Sequence, residues 1–559
     1  MKKIIKLISA ALFVAVLGAA VFGGAVIGRR YIPSKEAADI GELFAVEGNK
    51  VSIVWNEEIQ EEQALYEEGQ VYLPLDWINE NLNERFYWDE GEQLLVYALP
   101  DRIVYAQPDT MGDAGHLLLV KDDNVYLSAG LVSNYTNIRA VYFDNPAIHE
   151  EKEDTIAAKR IYIDSDWNPE ERAVAKKDTE IRELGGVKSP IITEVSKGTG
   201  ITVLNEMEKW SYVRTDTGFM GYIRNNRLTD RHQQALQSEF EEPVYKSQAI
   251  DGRVSLVWHQ VTSQEANGKF DQMFSEVEGV NVVSPTWFSL TDNQGNFSSL
   301  ANREYVEKAH QKGLQVWALL NNFSADVQTE VLLSSTSTRR KLIDSLIEEV
   351  ERYDIDGLNL DFESLKPEAG KHYIQFIREL SIPCREKGII LSVDNYVPAA
   401  YNEFYNRKEQ GIVADYVIVM CYDEHYAGGE KGTVASLSYV QNGIEDTLES
   451  VPAEKIIGAV PFYTRLWTVK DGETTSKAMG MEAATQWVQD NHVELTWLED
   501  VGQYYGELEG EDGSKQYIWL EDKKSLALKV DAIDQAGIAG VACWKLGFEP
   551  DDIWEVVNP

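Results

Sequence analysis

A chain of 559 residues is longer than one ordinary domain of about 100–200 residues, and its 44% hydrophobic and 10% aromatic content allows several packed cores. The formal charge of −40, from 92 acidic against 52 basic residues, argues against nucleic acid as a partner, because phosphate recognition needs clustered Lys and Arg. Cys384, Cys421 and Cys543 are odd in number and far apart, so neither a disulfide framework nor zinc-type pairing is expected, and buried free thiols are.

The chain begins "MKKIIK", runs apolar from Leu7 to Gly28 and then meets Arg29-Arg30. A secretory signal has an apolar core of about 7–15 residues, whereas about 20 span a bilayer. Residues 1–30 therefore read as an uncleaved signal-anchor and transmembrane helix, with the membrane as one partner. Small residues around Gly18–Ala20 leave a cleaved signal as the alternative. Either reading places the remainder outside the cytoplasm, anchored at the cell surface or secreted.

Residues 37–150 carry an internal echo. A short apolar strand, a helical stretch and an aromatic-Asp turn begin at Val71 and again at Val125, ending near Trp88-Asp89 and Phe143-Asp144. The region reads as α+β and resembles the copper-amine-oxidase N-terminal-like domain of bacterial surface proteins. With only His116 and His149 it has no ligand cluster, so the resemblance implies a spacer or binding module and no copper. Residues 155–231 are short β runs broken by Gly, Asn, Asp and Lys, the pattern of a small all-β barrel. "GITVLNE", "WSYVRTDTG" and "MGYIRNNRL" resemble a bacterial Src-homology-3-like domain, a fold used to hold cell-wall peptide or polysaccharide; a spacer without ligand is the alternative. A linker follows at 232–250.

From Arg253 apolar runs alternate with helical patterns: "RVSLVWHQ", "VNVVSPTWF", "GLQVWALLNNF", "IDGLNLDFE", "GIILSVDNY", "ADYVIVMCYD", "KIIGAVPFY" and "GIAGVACWKLG". This alternation predicts a parallel sheet with crossover helices, and its length predicts a (β/α)₈ TIM barrel over 250–559. An open doubly wound sheet competes, but no Gly-rich nucleotide fingerprint follows the first strand. The stretch from Trp467 to Asp534 is too long for one crossover and is read as a small α/β insertion, about 468–533, beside the barrel mouth.

In "DGLNLDFES" (356–364), Asn359, Asp361 and Glu363 alternate with Leu358, Leu360 and Phe362. By themselves these nine residues suit a half-exposed strand with its polar face in water. As the fourth strand of a barrel they cannot, because helices cover one face and the packed interior the other. The polar row then points inward, and Glu363 ends the run at the C-terminal face, where barrels carry their chemistry. Desolvation, with Asp361 about 7 Å behind it, favours a protonated Glu363, which is what a general acid needs. Asp356 has the wrong parity for the inward row and suits a structural role. Trp258, Trp287 and Trp317 read as packing.

"DGLNLDFE" resembles the D-x-x-D-x-D-x-E signature of glycoside hydrolase family 18, the chitinase-type enzymes. "MCYD" (420–423), "PFYTRLW" (461–467) and "CWKLG" (543–547) match in order on later strands. The resemblance implies a retaining hydrolase cleaving β-1,4 bonds at N-acetylglucosamine in peptidoglycan or chitin-like glycans. Glu363 would protonate the glycosidic oxygen and then activate water, the substrate's own 2-acetamido oxygen serving as nucleophile. Asp361 would orient the acetamide, and Tyr422 would hydrogen-bond its oxygen. Trp544 would floor the reacting sugar, and Asp423, Tyr463 and Arg465 would contact it. Two features depart from the signature: Asn359 replaces its middle Asp, weakening the negative charge behind Asp361, and the third strand ends "ALLNNF" without the usual Ser-x-Gly-Gly. Together with the modular N-terminus they look more like the spore-cortex and cell-wall N-acetylglucosaminidases of the family. No metal or organic cofactor is expected. A lectin-like surface protein that binds chitin or peptidoglycan without cutting is the alternative, and a barrel serving only as scaffold is a third reading.

Overall fold

The computed structural model describes residues 32–44, 47–149 and 158–558, so the signal-anchor reading of residues 1–30 lies outside the described residues. No helix among the described residues is long and apolar enough to cross a membrane. The chain divides into two compact units, one ending at Phe86 and resuming over Ala106–Glu242, the other joining Tyr87–Tyr105 to Pro243–Pro559.

Two seven-stranded sheets build the first unit. In one, Gln70–Pro74 and Asn124–Ser128 pair antiparallel, each followed by a short helix (Leu75–Asn81 and Ala129–Tyr135), which is the echo seen in the sequence. Arg160–Asp164 lies beyond the boundary drawn near 150–155, yet it is a strand of this sheet, set between Lys50–Trp55, to which it runs parallel, and Arg139–Phe143, to which it runs antiparallel. Its Arg160 is fully buried under the Phe219 ring and donates to the carbonyls of Ala158, Asn145, Thr217 and Gly218. The second sheet is antiparallel throughout, with Ile181, Ile201, Val213 and Ile223 in its core.

The second unit is a closed barrel of parallel strands: β1 Val254–His259, β2 Val282–Pro285, β3 Gln315–Asn321, β4 Gly357–Asp361, β5 Ile390–Tyr396, β6 Tyr416–Met420, β7 Ile456–Pro461 and β8 Gly540–Trp544. The order is 2-1-8-7-6-5-4-3, and pairing of β2 with β3 closes it. Alternation sorts the side chains as expected. Leu358, Leu360 and Phe362 join the core under the helices, while Trp258, Trp317, Leu319, Tyr416, Ile418 and Ala459 fill the interior. Cys384, Cys421 and Cys543 are all free and buried.

After β7 the chain enters a five-stranded antiparallel sheet from Tyr463 to Leu520, with helix Met481–Asp490 packed on it. Helix Lys523–Gln535, placed by the sequence reading within the insertion, packs instead against β7 and β8 as a barrel helix. Residues 87–105 are bound to helices of the same unit. Asp89 accepts hydrogen bonds from the N–H and hydroxyl of Thr336, at the start of helix Thr336–Tyr353, and Glu92 accepts from Ser335 and Ser337.

Candidate active site

β4 delivers its polar row to the barrel mouth. Asn359 is fully buried, Asp361 is 6% exposed, and Glu363 lies two residues beyond the last strand residue and is half-buried. Asn322, the next residue after β3, fixes the Glu363 backbone from both sides: its Oδ1 takes the Glu363 N–H at 2.9 Å and its Nδ2 donates to the Glu363 carbonyl at 3.0 Å. The departure "ALLNNF" thus holds the acid in place. Tyr396, at the end of β5, donates its phenol proton to Glu363 Oε2 at 2.7 Å.

Burial raises the Glu363 pKa above the usual carboxylate value. The Tyr396 hydrogen bond opposes this, and the Asp423 charge adds to it. Asp361 is pushed well above its ordinary value, first by burial, then by Asp394 and Glu363. Its Oδ1 is buried with no hydrogen-bond partner. Both shifts favour the protonated carboxyl, which is the direction a general acid in a cleft requires.

Other candidates gather around the same mouth. Tyr422 follows β6 and stands edge-on to Tyr463, with ring centroids 6.3 Å apart. Burial, then Asp361, raises its phenol pKa well above the ordinary value. The insertion's first strand, Tyr463–Lys470, carries Tyr463 and Arg465 to Asp423: the Tyr463 hydroxyl donates to Asp423 Oδ1 at 2.6 Å, and Arg465 Nη2 lies 3.6 Å from the same oxygen. Trp544 ends β8, half-buried, with its ring 5.9 Å from that of Trp258. Glu363, Asp361, Tyr422, Asp423 and Trp544 thus gather at the C-terminal end of the barrel, and Tyr463 and Arg465 reach Asp423 from the inserted sheet. Asn359, expected among the substrate contacts, is instead fully buried behind them, with its amide hydrogen-bonded to Trp258, Ser284, Ser392 and Asp394.

Asp394, Tyr396 and Asn322 were not singled out. A signal for two of them was present, since Ser392, Asp394 and Tyr396 alternate along "ILSVDNY" as the β4 row does, and Ser392 and Asp394 both accept from Asn359 Nδ2. Trp258, read as packing, also donates its indole N–H to Asn359 Oδ1 at 2.9 Å. Asp356 has the structural role expected, accepting from the Val316 N–H and pairing with His310. Two surface cavities, of about 520 and 450 Å³, lie at the opposite strand ends around Gln315, Asp356 and Arg253, away from these groups.

A parallel barrel with a protonatable glutamate after β4, backed by buried carboxylates and ringed by tyrosine and tryptophan, defines the class of barrel glycosidases. The sequence pattern of glycosyl hydrolases family 18 matches residues 219–549. The chain belongs to that family. It is 27% identical over 294 residues to the uncharacterized glycosylase YvbX of Bacillus subtilis (strain 168), covering 50% of this chain and 84% of that protein. It is 25% identical over 248 residues to the cortical fragment-lytic enzyme of the same organism, covering 43% and 58%. The crystal structure of the Bacillus cereus spore cortex-lytic enzyme SleL superposes with a TM-score of 0.50 at 20% identity, over 58% of this chain and 76% of that one, and shares the fold.

Proposed function

We propose that this family 18 hydrolase cleaves β-1,4 linkages at N-acetylglucosamine in peptidoglycan or a chitin-like glycan, with retention of configuration. One observation carries the reading: Glu363 is held at the barrel mouth by Asn322 and Tyr396 with its pKa raised, and Asp361 stands buried behind it. Glu363 donates its proton to the glycosidic oxygen as the substrate's acetamide oxygen closes on the anomeric carbon. The resulting carboxylate is stabilised by the Tyr396 hydroxyl, then takes a proton from the attacking water. Asp361 accepts the acetamide N–H, and Tyr422 steadies the acetamide oxygen. Trp544 supplies the apolar floor, with Tyr463, Arg465 and Asp423 contacting the sugar. The names of the cortex-lytic relatives favour peptidoglycan as the substrate.

The apolar run Leu7–Gly28 supports anchoring at the outer face of a membrane, and the resemblances of residues 37–150 and 155–231 support modules that hold the enzyme to wall polymer. The test uses residues 40–559 with N-acetylglucosamine oligomers and with purified peptidoglycan, products identified by mass. Release of products, abolished in Glu363→Gln, is the expected result. Binding of either glycan without products would overturn the enzyme reading in favour of a lectin-like protein.

A further inference from the structure

Asn359 leaves β4 one carboxylate short of the family signature, and a carboxylate stands on the neighbouring strand instead. The β4–β5 register pairs Asn359 with Ser392 and Leu360 with Val393, which sets Asp394 beside Asp361. Both aspartates are buried, at 2% and 6% exposure. The orientation of the Asn359 amide between them is fixed by chemistry. The Trp258 indole can only donate, so the oxygen of Asn359 must face it, at 2.9 Å, and this oxygen also accepts from the Ser284 hydroxyl at 3.0 Å. The amide NH₂ therefore faces β5, where it donates to Asp394 Oδ1 at 2.7 Å and Ser392 Oγ at 3.1 Å. One Asp394 oxygen is thereby held as an acceptor.

We propose that Asp394 is the positioning carboxylate of this site: it shares one proton with Asp361, and takes that proton when Asp361 engages the substrate's acetamide N–H as a carboxylate. No proton enters or leaves the pair, which carries one proton and one negative charge in both arrangements. The physical need is direct. Two buried carboxylates without a counter-cation cannot both ionise, and among the described residues neither Asp361 nor Asp394 takes part in a salt bridge. The titratable groups that act on them are Glu363 just beyond β4, Tyr422 after β6, and Tyr373 and Tyr405 from the outer elements, all acidic or neutral. Asp361 Oδ1, buried and unpartnered, is an acceptor with no donor of its own. Asp394 thus restores from β5 the charge that Asn359 removes from β4.

The inference rests on the glycosidase reading, so it is tested with one readout that depends on turnover and one that does not. Asp394→Asn is expected to fold and to lose about 10²-fold in kcat with little change in KM, the size of removing one electrostatic stabiliser from a water-excluded site. The exchange variant N359D/D394N, which returns the carboxylate to β4 and moves the amide to β5, is expected to recover most of that loss. A merely structural Asp394 would not be rescued in this way. Independently of turnover, infrared difference spectra taken against E363Q/D361N/D394N are expected to show a protonated-carboxyl band in Glu363→Gln whose frequency shifts in E363Q/D394N, because the Asp361 carboxyl then no longer shares its proton with a second carboxylate. Wild-type kcat and pH profile in Asp394→Asn would overturn the proposal, as would a folded exchange variant with no recovery. A band of unchanged frequency in E363Q/D394N would also overturn it. If the wild-type protein turns over no glycan, the glycosidase reading fails while the infrared result still decides whether the pair shares a proton.

Discussion

Tyr396→Phe isolates one hydrogen bond to the acid. The ring and its edge contact with Tyr405, at 6.1 Å, are kept, and only the hydroxyl 2.7 Å from Glu363 Oε2 is lost. That bond favours the Glu363 carboxylate over the neutral acid, so it opposes the upward push of burial. A hydrogen bond to a charged group is worth about 1.5–3 kcal/mol. With about half of the proton transferred in the transition state, roughly half of this is realised there, which predicts a kcat lower by roughly 3- to 13-fold. The sign for pH follows from the same bond. Without it the neutral acid is favoured still more, so the alkaline limb of kcat/KM moves to higher pH. The assay is a pH–rate profile on a fluorogenic N-acetylglucosamine oligomer, with thermal unfolding as the control for folding. The Tyr396 oxygen also accepts from the Ser364 N–H at 3.2 Å, and this gives the refuting result. A fall in rate with an unmoved or acid-shifted alkaline limb would mean that Tyr396 acts through the loop and not through Glu363.

Asp89→Ala removes both hydrogen bonds at Thr336 and should destabilise the start of helix 336–353 by about 2–4 kcal/mol, from a lost cap and a buried group left unpaired; hydrogen exchange at amides 336–339 reads it, and unchanged protection would refute it. His259 is buried beside Tyr305, and burial, then Lys545, lowers its pKa from 6.5 to about 4. Between those values the unfolded chain binds a proton that the folded one does not. Stability should therefore fall by about 3 kcal/mol as pH drops from 6.5 to 4, and His259→Gln should flatten that part of a urea-midpoint profile. Gly540→Ala places a methyl 2.0 Å from the Val254 carbonyl oxygen at the β8–β1 seam. The expected loss exceeds the usual overpacking cost of about 1–3 kcal/mol, seen as a lower unfolding midpoint.

Much of the catalytic barrel was legible in the chain. Its strands are continuous apolar runs because both faces are buried, and the "LNLDFE" alternation fixes which residues point inward once a barrel is accepted. The motif on β4 and the aromatic residues on later strands pointed to one end of the barrel as the candidate site. Asp394 shows where legibility stopped. Its strand alternates like β4, yet a lone inward Asp in "SVDNY" acquires meaning only when the register places it beside Asp361 and against the Asn359 amide.

What the sequence determined by itself was local: periodicity, strand and helix identity, and the polar row on β4. Tertiary structure decided the pairings that span long stretches of chain. Arg160–Asp164 inserts between Lys50–Trp55 and Arg139–Phe143, and Asp89 reaches the start of a helix at Thr336. The reason is physical. Alternation is imposed by each strand's own backbone, whereas the choice of a partner strand, or of a carboxylate to cap a distant helix, depends on which hydrogen-bonding groups the rest of the fold has left open.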